Sequence, residues 1–335
     1  MKKLNYFLIV SVLLGFILTT SCKKDKDDEP KINESEVLAT FLESSDSPYG
    51  KDFVNTDMPT IMSATDVNNL NLTGQVYIID MRAANDFANG HIENAVNVPI
   101  AQLYEHIKTI NMANYEKIAL VCYTGQTAAY GASLMRLMGY NKVFSMKWGM
   151  CSWNADFSGG WNNAIGNSFA SQFVTTPTEK APAGEMPSLN TGKTTGLEIL
   201  EARVATLLSE GYGNGVAAVT NQTVFGNLGN YYIVNYWPKA QYDDPGHIPG
   251  AIQYTPKESM KIAADLKTLP TDKAIVLYCY TGQTSSFLAA YLRLLGYDAK
   301  SLLFGGNGMI YDIMTEKGMT TFKASEIMGY DYIKP

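Results

Sequence analysis

The chain is short of histidine, of cysteine and of positive charge, and each shortage closes off a class of function. Its three histidines, His91, His106 and His247, are scattered, and neither a CxxC nor an HExxH spacing occurs, so no metal site is expected. Lys and Arg number 26 against 32 Asp and Glu, a net charge of -6, which excludes a nucleic-acid partner gripped through its phosphates. The glycine-rich stretch FGGNG at Phe304 to Gly308 follows an apolar segment but lacks dinucleotide-binding spacing. It reads as a turn, and no cofactor is expected.

With 335 residues, 46% of them hydrophobic, the chain has material for two ordinary cores. Its start, MKKLNYFLIVSVLLGFILTTSC, has two lysines, an apolar centre and small polar residues before Cys22. That is the layout of a secretory signal, too short for a comfortable membrane span. LTTSC resembles a bacterial lipobox, so residues 1–22 are expected to be a lipoprotein signal peptide with Cys22 as the lipidated residue. The expected location is the cell envelope, lipid-anchored to a bacterial membrane, the outer one by preference, on its periplasmic or surface face. The charged, apolar-poor residues 23–35 are expected to be a flexible tether.

The rest of the chain repeats itself. CYTGQT occurs at Cys122 to Thr127 and again at Cys279 to Thr284, each time after an apolar run. Upstream stand VYIIDMRAANDFANGHI and YYIVNYWPKAQYDDPGHI, and downstream each copy closes on Gly-Tyr, at Tyr140 and Tyr297, both 18 residues past the cysteine. A period near 157 residues means duplicated domains, expected at 36–174 and 193–335, with the Pro- and Thr-rich residues 175–192 as linker. Within each copy short apolar β-rich runs alternate with a helical pattern, and Gly296 stands where a helix C-cap glycine belongs. The fold class is therefore α/β: two tandem domains, each a mostly parallel sheet with helices on both faces.

In such a fold the CYTGQT loop lies beyond the carboxyl end of a strand and at a helix N-terminus. Backbone N–H groups and the helix dipole there stabilise an anion, and such positions lower a thiol pKa. Cys122 and Cys279 are thus candidate nucleophiles. Tyr123, Thr124, Gly125, Gln126 and Thr127, and likewise Tyr280, Thr281, Gly282, Gln283 and Thr284, form the candidate cradle. Tyr123 and Tyr280 are open to two readings, a pocket wall or simple packing. A phosphatase-type loop needs an arginine just after it to hold an oxyanion, and that position is Ala128 or Ser285. A thiol hydrolase needs a base, whereas His91 and His247 sit in GHI as turn histidines. The short, arginine-free cradle suits the small soft anion of a cysteine persulfide.

The ordered set Asp80-x-Arg82, Asp86-Phe87, Gly90-His91-Ile92, Pro99 and the Cys122 loop resembles the rhodanese-like sulfurtransferases, and the likeness runs through most of both copies. The resemblance implies a cysteine that takes a sulfane sulfur from a donor and passes it to a thiophilic acceptor such as cyanide or a thiol. It also implies that Asp80 and Arg82 form a bracing ion pair, with His91 and His247 supporting. The six-residue loop resembles the sulfurtransferase branch of the family. The expected partners are a small sulfur-containing substrate or a protein thiol, and the membrane through the lipid anchor.

The second copy departs from the pattern. Asn235 and Trp237 replace Asp and Arg, and a residue is inserted before Gly246, which suggests a lost brace and Cys122 as the better catalyst. Without a basic loop residue, thiosulfate should bind weakly, and a polysulfide or protein persulfide is the expected donor. Cys151 has no counterpart cysteine and reads either as a resolving thiol for Cys122 or as a buried one. Trp148, Trp153 and Trp161 are expected to cover the core or a domain interface. The competing reading of the whole is a non-catalytic envelope module that binds anions or responds to redox change.

Overall fold

The computed structural model describes residues 32–334. The expected signal peptide, Cys22 and most of the tether lie outside these residues. Strands β1 (Ile61–Met62), β2 (Val76–Asp80), β3 (Val96–Asn97), β4 (Lys117–Val121) and β5 (Val143–Met146) form one sheet in the order β1-β5-β4-β2-β3. Strands β6 (Ala218–Val219), β7 (Tyr231–Asn235), β8 (Ile252–Gln253), β9 (Ala274–Tyr278) and β10 (Ala299–Leu302) repeat that order as β6-β10-β9-β7-β8. All these pairings are parallel. The central strands IALV and IVLY are buried along their length, as a parallel sheet covered on both faces requires.

Each cysteine loop feeds a twelve-residue helix, Gln126–Leu137 or Gln283–Leu294. Both helices end in the same way. Gly139 and Gly296 take φ of +87° and +95°, their N–H groups bond the carbonyls of Arg136 and Arg293, and Tyr140 and Tyr297 reach back to Met135 and Leu292. This is the double hydrogen bond of a Schellman cap, and it accounts for the repeated Gly-Tyr.

The two copies share one core. All of Gln126–Leu137 except Thr127 is buried, so the helix is covered on nearly every side. Its partner is the matching helix Gln283–Leu294, with the Ser133 hydroxyl donating to the Phe287 carbonyl at 2.9 Å. The largest apolar cluster runs through both copies without a break, where the composition had suggested two separate cores.

The chain ends cross over between the copies. Helix Glu34–Glu43, whose first residues fall in the expected tether, packs on helix Gly196–Glu210 of the second copy. Buried Glu34 accepts hydrogen bonds from Thr191 and Gly192, and Asn55 donates to the Met260 carbonyl at 3.0 Å. The stretch expected as a linker lies against the second copy too. Val174, the residue before it, pairs with His247, the Thr176 carbonyl lies 3.0 Å from His247 Nε2, Thr178 pairs with Ile252, and Met186 is buried. Conversely, the C-terminal segment straps the first copy: Met328 and Tyr330 donate to the carbonyls of Ser152 and Trp153, each at 2.9 Å, and Ile333 pairs with His91.

Candidate active site

Parallel register brings the scattered motifs together. Asp80 at the end of β2 is aligned with Val121, the residue before Cys122, and Asn235 is aligned with Tyr278, the residue before Cys279. The GHI turns follow in the connections to β3 and β8. Each motif set therefore converges at the carboxyl end of its sheet.

The Cys122 sulfur accepts the N–H of Gly125 at 3.1 Å and of Ala128 at 3.3 Å. Gly125 is the N-cap of helix Gln126–Leu137 and has no capping side chain, so the sulfur stands where a Ser or Asp oxygen would receive the third helical N–H. Gly125 must be glycine at its φ of +83°. Ala128, which the sequence marked only for its missing guanidinium, supplies a backbone donor instead. Ser285 does the same for Cys279, its N–H lying 3.3 Å from the sulfur.

The expected depression of the thiol pKa is corrected by burial. Cys122 is only 5% exposed, and desolvation pushes its thiol up, outweighing the N–H groups of Ala128, Thr124, Gly125 and Thr127 that pull it down. The loop's donors were legible in the sequence, whereas the lid that removes solvent was not. That lid includes residues 147–161: Met150 and Cys151 donate to the carbonyls of Cys122 and Tyr123, and the Trp161 indole donates to the Thr124 carbonyl at 3.1 Å. Trp148 and Trp161 pack with Phe322 and Phe304, so these tryptophans cover the seam between the copies. Trp153 faces the C-terminal strap, donating to the Asp331 carbonyl at 2.8 Å.

Cys151 is fully buried, its thiol directed to the Phe157 carbonyl at 3.1 Å and pushed up to about 11 by burial. The cysteines among the described residues, Cys122, Cys151 and Cys279, form no disulfide.

Around Cys122 the wall is ionic. Arg82 and Asp80 form a buried pair at 2.7 Å, and the guanidinium also donates to the Gly90 carbonyl at 2.6 Å. It lies 5.2 Å from the centre of the Tyr123 ring, so that 40%-exposed ring has a cation beneath it. His91 stacks on Phe87 at 3.8 Å and bonds its carbonyl through Nδ1. The second copy is braced differently, where the sequence had suggested a lost brace. Asn235 donates to the Tyr278 hydroxyl at 2.7 Å and accepts the Trp237 N–H at 3.1 Å, while that hydroxyl accepts the Ile248 N–H at 3.3 Å. Trp237 stacks on Tyr280 at 5.6 Å, in the place that Arg82 holds over Tyr123. His247 stacks on Tyr242 at 3.6 Å and bonds its carbonyl at 2.9 Å.

Gln126 and Gln283, assigned to the cradles by sequence, turn their side chains away from the sulfurs and across the seam. Their carbonyl oxygens accept the backbone N–H groups of Phe304 at 2.9 Å and Trp148 at 3.2 Å. Thr124 and Thr281 receive the amide nitrogens of Gln126 and Gln283. Thr127 and Thr284 are part-exposed in the first helical turns.

Among the described residues no cluster of metal-ligating side chains occurs, and no helix is long and apolar enough to cross a membrane.

Fold and site together define an α/β protein that presents a cysteine sulfur to backbone N–H groups at a helix N-terminus, those of Gly125 and Ala128 in the first copy and that of Ser285 in the second. The rhodanese-like domain description matches residues 63–156 and 227–307, over half of the chain. The chain belongs to the rhodanese-like domain family, in tandem form. It is 32% identical over 79 residues to a thiosulfate sulfurtransferase of Shewanella oneidensis, covering 24% of this chain and 76% of that protein. A putative sulfur carrier protein of Bacillus subtilis is 22% identical over 120 residues, covering 36% of this chain and 63% of that one. The solved thiosulfate sulfurtransferase of Pseudomonas aeruginosa is 14% identical, with 83% of this chain and 69% of that chain covered and a TM-score of 0.27.

Proposed function

We propose that the protein is a sulfurtransferase that carries a sulfane sulfur as a cysteine persulfide at Cys122 and, in the second copy, at Cys279. The observation that carries this reading is the sulfur of Cys122 held by the N–H groups of Gly125 and Ala128 in a loop free of basic residues. Such a collar favours a small, soft anion over a phosphate ester, which needs a guanidinium clamp. The thiol first gives its proton to solvent. The thiolate then attacks the outer sulfur of a donor such as thiosulfate, forming the Cys–S–S⁻ persulfide and releasing sulfite as the inner S–S bond breaks. Cyanide or an acceptor thiolate next takes the terminal sulfur, leaving as thiocyanate or as a new persulfide, and the cysteine thiolate returns.

Burial raises the Cys122 thiol, so the resting enzyme holds little thiolate. A loop without Lys or Arg has no cation to hold dianionic thiosulfate, which favours polysulfides and protein persulfides as donors. The same burial favours a second reading, a non-catalytic module that holds persulfide or responds to oxidants without turnover. Incubating the full-length chain with polysulfide or thiosulfate, then with cyanide, separates the two. The proposal expects a mass gain of one sulfur atom on Cys122, lost on adding cyanide with release of thiocyanate, and absent from Cys122→Ser. A stable sulfur adduct that cyanide cannot remove supports the second reading, and no adduct at either cysteine ends the first.

We further propose that Cys22 is lipidated and tethers the protein to the bacterial envelope. Metabolic labelling with a lipid analogue should mark the wild-type chain, and labelling retained in Cys22→Ala would end this idea.

A further inference from the structure

We propose that the glutamine of each CYTGQT loop is a positioning residue for the cysteine of the other copy. Trp148 and Phe304 occupy equivalent places in the two copies, and both take a left-handed φ of +63°. Each is followed by a glycine wedged under a cysteine loop. A Cβ on Gly149 would lie 2.3 Å from the Cys122 carbonyl oxygen, and one on Gly305 would lie 2.3 Å from that of Cys279. The next two N–H groups clamp the loops: Met150 and Cys151 hold Cys122 and Tyr123, and Gly306 and Asn307 hold Cys279 and Tyr280. The turn 148–151 thus sets the backbone that aims the Gly125 N–H at the Cys122 sulfur, and the turn 304–307 holds the Cys279 loop, where the Ser285 N–H meets the sulfur.

What fixes the first residue of each turn comes from across the seam. Gln283 accepts the Trp148 N–H at 3.2 Å, and Gln126 accepts the Phe304 N–H at 2.9 Å. Both amides are buried. The loop glycines make room for them, since a Cβ on Gly125 would meet the Gln283 oxygen at 2.5 Å and one on Gly282 the Gln126 oxygen at 2.3 Å. Two loops that pack reciprocally need the same residues at the same places, and this gives the repeated Gly-Gln pair a second cause besides chemistry at sulfur. Loosening either loop is therefore felt at the opposite cysteine.

The test reads thiol reactivity and does not depend on sulfur transfer. Gln283→Met keeps the side-chain length and removes the acceptor. In the full-length chain, alkylation of Cys122 by iodoacetamide should rise about fivefold, the scale of one net hydrogen bond, with Cys279 changed far less. Gln126→Met should give the reverse pattern. Gln283→Glu, which retains an acceptor oxygen for Trp148, should restore Cys122 to near wild-type reactivity. A change at the cysteine of the substituted loop alone, equal changes at both, or no change at either overturns the proposal. Should the Met variants fail to fold, hydrogen exchange in the wild-type chain decides. The Trp148 and Phe304 N–H groups should be strongly protected, and exchange at the rate of surface amides overturns it.

Discussion

The two copies hold the same six letters inside different walls. In the first, the side chain beneath the loop tyrosine is an arginine, paired at 2.7 Å with an aspartate on the neighbouring strand. In the second the same place is taken by Trp237, and the strand position is Asn235 bonded to the Tyr278 hydroxyl at 2.7 Å. A charge pair has been exchanged for an amide, a phenol and an indole, while a side chain still lies against the loop tyrosine, at 5.2 Å in one copy and 5.6 Å in the other. Both versions leave one buried donor without a partner among the described residues, Arg82 Nη1 in one copy and Trp237 Nε1 in the other. The loop does not require an ion pair behind it. It requires a filled, hydrogen-bonded wall, and two chemistries supply one.

The comparison breaks hardest at Arg82. Arg82→Met leaves Asp80, fully buried, without its cation, and breaking one side of a buried pair typically costs about 3–5 kcal/mol. Urea denaturation of the full-length chain should show that loss, and a loss below about 1 kcal/mol, the range of an exposed pair, would mean that solvent reaches the wall.

The second wall should yield less. Asn235→Ala unpairs the Trp237 N–H and leaves the Tyr278 hydroxyl with the Ile248 N–H as its donor, groups that are polar but uncharged, for a cost of about 1–3 kcal/mol. The same denaturation series measures it. If Asn235→Ala costs as much as Arg82→Met, the difference between ionic and neutral walls carries no energetic weight.

Features written along the chain were legible in the sequence, and features written across it were not. The sheet strands, the helix after each cysteine and the cap at Gly296 follow from apolar runs and from a glycine at a left-handed position, which are local causes. The convergence of Asp80, Arg82 and the Cys122 loop follows from parallel strand order. The second wall could have been found, because Tyr278 replaces Val121 in the same repeat that replaces Asp80 with Asn235, and a phenol beside a lost carboxylate is a visible substitution. The crossed glutamines could not. Their letters look like loop chemistry, and only the packing of helix Gln126–Leu137 on helix Gln283–Leu294 turns them away from the sulfurs.

The smallest effect lies at the Cys122 thiol itself, where cradle and burial oppose each other. Burial holds its pKa above the ordinary value of 9.0 in the folded chain, while in the unfolded chain the thiol ionises normally. Below the ordinary value both states keep the proton, and the thiol's contribution to stability is fully present. As pH rises past that value the unfolded chain releases its proton first, so stability falls until the folded thiol ionises as well. One group can give a slope of at most about 1.4 kcal/mol per pH unit. Cys151, raised by its own burial, adds a similar slope and must be subtracted. Comparing wild type with Cys122→Ala isolates the Cys122 share, since Cys151 is common to both. The stability difference between the two chains should shift against wild type as pH climbs from 8 to the alkaline side of about 9. A difference that stays flat across that window would mean the N–H collar offsets burial in full, and a shift in favour of wild type would mean the collar wins and the loop holds a thiolate at rest.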